Sequence, residues 1–160
     1  MIYGSAGICQ VVDVTTMEMD GVPKDHLYYV LRPENGNGGT IFTPVDHTKV
    51  VLRRMMTKEE VEDLLGDMPK LETLQISNEK LRENAYRECM KSCDSRELVR
   101  MIKTIYLRKK ERISCGKKAT ATDERYLKLA EDSLYSEFSH LLGIPKNEMV
   151  DYIQKKIESE

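Results

Sequence analysis

Two hydrophobic periods divide the chain. Up to residue 54, apolar and polar positions alternate in short runs, as in half-buried strands. The run Cys9-Gln-Val-Val-Asp-Val lies inside a β-rich stretch from Ile8 to Val14 and predicts one strand. His26-Leu-Tyr-Tyr-Val-Leu-Arg32 predicts a second, after a polar turn around Asp20-Gly21-Val22-Pro23. Asn35-Gly-Asn-Gly-Gly39 is a hairpin signal, because these residues tolerate positive φ. Thr40-Ile-Phe-Thr43 continues as a third strand before Pro44, and Lys49-Val-Val-Leu-Arg53 is a fourth. Ile2-Tyr3 is a candidate short fifth. Short strands joined by tight turns predict a small, strongly bent barrel.

From residue 55 the period becomes helical. Thr57-Lys-Glu-Glu60 is a capping box that opens a short helix over 57–65, stopped by Gly66 with Pro69 beyond. Residues 67–77 carry no clear period and read as a linker. Three longer helices are predicted, from Asn78 to Met90, from Asp94 to about Arg112 and from Thr120 to Leu142. Asp94 and Glu97 have capping-box spacing, and Leu98, Met101, Ile102 and Ile105 make the apolar stripe of the second. In the third, Thr120 and Asp123 form a capping pair. Leu127, Ala130, Leu134, Phe138 and Leu141 share a face, and Gly143 ends the helix. Pro145 suits the first turn of a last helix reaching about Ile157. The expected fold class is α+β with two domains, a β-barrel over 1–66 and an all-helical domain over 78–160.

Composition narrows the class. A chain of 160 residues, 40% apolar and 32% charged, has the makings of a soluble globular protein. No apolar run approaches the roughly 20 residues that cross a bilayer, and the first residues do not resemble a signal peptide. Four cysteines do not make a disulfide framework, so a cytoplasmic protein with reduced thiols is expected. The net charge of −2 hides an asymmetry. Residues 1–66 hold 6 basic and 10 acidic side chains, residues 80–128 hold 15 and 7, and residues 129–160 hold 3 and 7. A basic middle between acidic ends points to a phosphate-bearing or acidic partner, or to a solvated helix face.

Catalytic chemistry finds little support. His26, His47 and His140 do not cluster with acids or thiols, and no phosphate loop, nucleophile elbow or zinc-protease motif is present. The chain is expected not to be an enzyme and to need no cofactor, metal or small-molecule substrate. Cys89 and Cys93 are four apart, a spacing that suits either two metal ligands or two small buried residues, and the second reading is preferred. Alternation puts Tyr28 and Tyr29 on opposite faces of their strand, one in the core and one exposed. The most informative feature is the cationic stretch Arg108, Lys109, Lys110, Arg112, Lys117 and Lys118. Cations around a Gly-containing loop can follow a phosphate backbone, giving salt-sensitive affinity without sequence readout.

Several strings, in order, resemble the CarD/CdnL family of bacterial transcription regulators. Tyr3-Gly-Ser-Ala-Gly-Ile-Cys9 resembles the family's opening segment, and Tyr28-Tyr-Val-Leu-Arg32 its second strand. Thr43-Pro44 and Val50-Val-Leu-Arg53 resemble its Val-Pro and the strand that follows. Tyr86-Arg-Glu-Cys-Met-Lys-Ser-Cys-Asp94 looks like a divergent form of a string ending Lys-Ser-Gly-Asp. Tyr106-Leu-Arg-Lys-Lys-Glu-Arg112 and Asp123-Glu-Arg-Tyr-Leu resemble the helices beyond it. The resemblance implies a Tudor/SH3-like barrel that docks on the RNA polymerase β subunit by strand addition. It also implies a helical domain that contacts promoter DNA and stabilises the melted bubble with a tryptophan wedge.

Three departures bear on function. The chain has no Trp, and ungapped spacing back from Asp94 puts Glu79 at the wedge position. Cys93 replaces the glycine of Lys-Ser-Gly-Asp. Extra residues, including Lys117 and Lys118, lie between Arg112 and Asp123. The expected polymerase-binding residues are Tyr28, Thr40, Ile41, Phe42 and Thr43. The expected DNA-backbone contacts are drawn from Arg82, Arg87, Lys91, Arg108, Lys109, Lys110, Lys117, Lys118 and Arg125. The alternative is a protein–protein adaptor of the transcription machinery with no direct DNA contact.

Overall fold

A computed structural model describes residues 1–16, 26–34, 38–46 and 50–158, without the side chains of Ser5 and residues 156–158. It divides the chain into two units, Met1–Met55 and Met56–Glu160. The first is an antiparallel sheet of five strands in the order β4-β3-β2-β1-β5. These are β1 (Ile2–Tyr3), β2 (Gly7–Thr16), β3 (Leu27–Pro33), β4 (Ile41–Pro44) and β5 (Leu52–Arg53). The turn signal at 20–23, residues 35–37 of the hairpin signal, and His47 lie outside the described residues. Cys9 pairs with Pro33, and Leu31 faces Val11 on one side and Ile41 on the other. A shift between Val11 and Asp13 leaves Val12 as the extra residue of a bulge. Ile2, Cys9, Leu31 and Thr43 are buried in this unit.

The sheet is open where a barrel was expected. The end strands are too short to close it: β4 has 4 residues and pairs with β3, while β5 has 2 and pairs with β1. Among the described residues, nothing joins β4 to β5. Gly4 and Gly7 shape the entry to β2. Both have positive φ, 44° and 73°, and a Cβ on Gly4 would run into Val50 Cγ1.

The second unit contains α1 (Lys58–Asp67), α2 (Arg82–Ser92), α3 (Ser95–Ser114), α4 (Ala121–Leu142) and α5 (Lys146–Glu158). Local capping sets these boundaries. Thr57 and Glu60 close a full capping box on α1. Asp94 accepts from Arg96 N and Thr120 from Asp123 N, so both cap as expected. Glu97 instead receives Arg100. Gly143 ends α4 in the left-handed conformation, at φ 69°. The expected stripe Leu98, Met101, Ile102 and Ile105 is buried against Leu134, Phe138, Met149 and Ile153 in one core. Cys89 belongs to that core, where burial, then the nearby Glu97 carboxylate, pushes its thiol up to about 11. It therefore packs as a protonated small hydrophobe at neutral pH.

The boundary between units differs from the one expected at 66–77. Val61, Leu64 and Leu65 of α1 pack into the helical core, which puts the helix in the second unit. Gly66 does not stop it; α1 runs to Asp67 and passes into a 3₁₀ turn, Met68–Lys70. Residues 67–77 are not a loose linker but a strap bound along α3. Lys103, buried at 6% exposure, donates through Nζ to the carbonyls of Met68, Pro69 and Leu71 at 3.3, 3.0 and 2.9 Å. Leu74 N donates to Thr104 Oγ1, Arg100 Nε to Glu72 O, and Arg96 Nη2 to Asp67 Oδ2. Periodicity cannot reveal such a strap, because its bonds come from residues about 30 positions away in the chain.

Two outcomes test this arrangement. Lys103→Met keeps the length of the side chain and removes the donor, so it should cost about 2–3 kcal/mol, read as a lower urea midpoint. An unchanged midpoint contradicts the strap. Cys93, at φ 52°, is the one non-Gly residue with positive φ among the described residues. Cys93→Gly should be about 1 kcal/mol more stable than Cys93→Ala, since only glycine takes that conformation without strain. Equal stabilities contradict the backbone explanation.

Candidate sheet edge and basic face

In the first unit, β4 is an end strand, and among the described residues its outer side has no strand partner. Tyr29 pairs with Thr43 and Leu31 with Ile41, so these four share the face that carries buried Leu31. Phe42 pairs with Val30 and Tyr28 with Pro44 on the opposite face. The five residues expected at the edge therefore divide. Phe42 is 48% exposed, Thr40 is exposed just before the strand, and Tyr28 and Ile41 are half-buried. Thr43 is buried, which leaves only its backbone for recognition. An exposed aromatic on an end strand is suited to an added strand from a partner.

In the second unit, the nine expected DNA contacts fall into two groups. The arginines are fastened to acids. Arg82 grips Glu79 with a fork, Nη2 to Oε1 at 2.8 Å and Nε to Oε2 at 3.0 Å. Arg108 Nη2 donates to the same Oε2 at 3.2 Å. Behind them, Tyr86 Oη donates to Asp123 Oδ1 at 2.9 Å and accepts from Arg82 Nη1 at 3.3 Å. Arg108 Nη1 lies 3.2 Å from both oxygens of Asp123, donating to Oδ1 and making only an ion-pair contact with Oδ2. Asp123 is fully buried. A second carboxylate, Glu83, takes Arg125 at 2.6 Å, Tyr126 Oη at 3.3 Å and Arg87 at 3.5 Å. Arg125 also lies over the Tyr126 ring. Lys91 sits 3.9 Å from Glu88.

Electrostatics follow this geometry. The hydrogen bond from Arg82 holds the Glu79 carboxyl below its ordinary value against the opposing pull of desolvation, and the charges of Arg82, Arg108 and Arg112 add to the lowering. The same bond to Glu79 holds the Arg82 guanidinium charged despite partial burial. Burial, then the bond to Asp123, raises Tyr86 against the pull of Arg82. Phenol and guanidinium thus keep their protons at neutral pH, and Glu79 is ionised.

The lysines form the other group. Lys110, Lys117 and Lys118 are exposed, and Lys109 is half-buried where α3 ends. Gly116, at φ 75°, turns the chain there, with Lys117 N donating to Arg112 O and Arg112 Nε to Lys118 O. Side chains from α3 and the following loop are thereby presented on one short stretch. Sequence reasoning missed the acids. Glu79 and Arg82 have i,i+3 spacing and Glu83 and Arg87 i,i+4, so those two pairs had a local signal. Arg108 with Asp123 and Arg125 with Glu83 had none, because the turn after α3 separates the first pair and the whole of α3 as well separates the second. Among the described residues, no group of three His, Cys, Asp or Glu is placed to hold a metal ion, and no helix is long and apolar enough to cross a membrane.

No curated protein matches the chain. The family model described as CarD-like/TRCF RID domain matches residues 1–56, the whole of the open-sheet unit and the first residue beyond it. That match, over the whole of the N-terminal unit, identifies it as a CarD-like/TRCF RID domain.

Proposed function

We propose that the chain is a non-enzymatic transcription regulator that binds RNA polymerase. The supporting observation is the CarD-like/TRCF RID match over a unit whose end strand carries exposed Phe42. In this reading the sheet works as a Tudor-like module. It takes an edge strand of the polymerase β subunit against β4, backbone hydrogen bonds supply the affinity, and Phe42 supplies an apolar anchor. The helical unit contacts promoter DNA through phosphates, led by Lys109, Lys110, Lys117 and Lys118. Glu79 cannot stack on a base as a tryptophan does, so wedge-type stabilisation of a melted promoter is weak. The protein works in the bacterial cytoplasm, without cofactor or small-molecule substrate.

A second reading has an observation behind it. Arg82, Arg87, Arg108 and Arg125 are each held by a carboxylate of the same unit, which lowers the charge presented to DNA. On that basis the protein is an adaptor that binds polymerase without touching DNA.

Pull-down of purified bacterial RNA polymerase with the full chain should succeed, and Phe42→Glu should reduce it at least about tenfold, a typical hot-spot loss. Failure of the unaltered chain to capture polymerase overturns the proposal. Anisotropy of a labelled duplex should show weak binding that falls with salt. Lys117→Ala with Lys118→Ala should flatten the log–log salt slope by about 2, since each phosphate contact contributes roughly 0.9. Absence of binding at low salt rejects the DNA contact and leaves the adaptor.

A further inference from the structure

Arg82 and Arg108 have the geometry of an anion clamp. They arise from different helices, α2 and α3, and converge on one small group. Their side chains are largely withdrawn from solvent, at 16% and 21% exposure. Each is held from behind, Arg82 by the Tyr86 hydroxyl and Arg108 by the buried Asp123 carboxylate. Their outward donors, two from Arg82 and one from Arg108, meet at the oxygens of Glu79. Arg112 adds a third positive charge near the same carboxylate. The occupant differs from its holders. Glu79 is 67% exposed and sits on a three-residue 3₁₀ turn, Glu79–Leu81, ahead of α2.

Charge and shape identify what else fits. Asp123 offsets one guanidinium, and Arg82, Arg108 and Arg112 leave two positive charges over when Glu79 is set aside. A phosphodiester carries one negative charge and two non-bridging oxygens, the same fork that a carboxylate offers. The guanidiniums are fixed from beneath, so they need not rearrange to change partners. Glu79 can turn into water, where an exposed carboxylate is well solvated and an exposed ion pair contributes little.

We propose that the Glu79 carboxylate occupies, in cis, a phosphodiester-binding site made by Arg82 and Arg108, and that nucleic acid must displace it to engage this face. The inference rests on the DNA-contacting reading above and adds a regulatory element to it. Glu83, which holds Arg125 and Arg87 one helical turn on, is a parallel contact on the same side of α2. Binding is then weak by construction, and it strengthens when a change near residues 78–81 moves the carboxylate away.

The test is duplex-DNA anisotropy across a potassium chloride series, using the full chain and checking each variant for an intact urea transition. Glu79→Gln keeps the shape and removes the charge. It should bind about tenfold more tightly at low salt, with a log–log slope steeper by about 1 for the added phosphate. Adding Arg82→Gln to Glu79→Gln should return affinity and slope to those of the unaltered chain. Arg82 is chosen because Arg108 also holds buried Asp123. Glu124→Gln, an equal charge change on the exposed start of α4, should alter affinity less than about twofold. The proposal is overturned if Glu79→Gln matches an unaltered chain that binds, which leaves the DNA contact standing. It is also overturned if Glu124→Gln matches Glu79→Gln, which makes the effect one of net charge. Loss of sensitivity to Arg82→Gln overturns it as well. If neither the unaltered chain nor Glu79→Gln binds, the latch and the DNA contact fail together.

Discussion

The helical unit depends on one buried carboxylate. Asp123 sits in the first turn of α4, behind the Thr120 cap, with no exposed surface. An unpaired charge there would be too costly to keep, so the site exists only with its partners in place. Those partners are Tyr86 from α2 and Arg108 from α3. One side chain therefore joins three helices. Two other buried charges repeat the pattern at the edges of the unit. Lys103 gathers the carbonyls of the strap, and Glu137 accepts the Met56 amide where the unit begins. Each buried charge pins a segment that apolar packing alone leaves undefined.

This arrangement has consequences for the surface. Asp123 fixes Arg108, Arg108 and Arg82 hold Glu79, and Glu83 holds Arg125 and Arg87. Residues 80–128 carry 15 basic and 7 acidic side chains, yet most of the arginines counted there already face acids. Formal charge thus overstates the field available to a partner. At the end of α3 and in the turn beyond it, Lys110, Lys117 and Lys118 are exposed.

Much of the fold was legible because its signals are local. Thr57 with Glu60, Asp94, Thr120 and Gly143 marked helix ends, and the stripe Leu98–Ile105 marked the core face of α3. Short β-rich runs marked the five strands. What escaped was long-range. The strap over 67–77 is held by Lys103, Thr104 and Arg100, and α1 joins the helical core through Val61, Leu64 and Leu65. Short strands joined by tight turns predicted a small, strongly bent barrel, whereas among the described residues the sheet stays open between β4 and β5, and β5 has only two residues. At the candidate site, charge clustering found the cations and missed the acids that hold them. Cys93 stands where the resemblance led to glycine, and its φ of 52° shows that the backbone there still takes a glycine-like conformation.

Asp123 and Arg108 act as a unit that organises both the helical core and its basic face. A double-mutant cycle on urea unfolding, with Asp123→Asn, Arg108→Gln and the two together, measures this directly. Arg108→Gln leaves buried Asp123 without its cation, and Asp123→Asn removes the carboxylate that anchors Arg108, so a coupling of at least about 2 kcal/mol is expected, the pair costing well under the sum of the single changes. Additivity within about 0.5 kcal/mol would contradict it, because independent sites are expected to add to that accuracy.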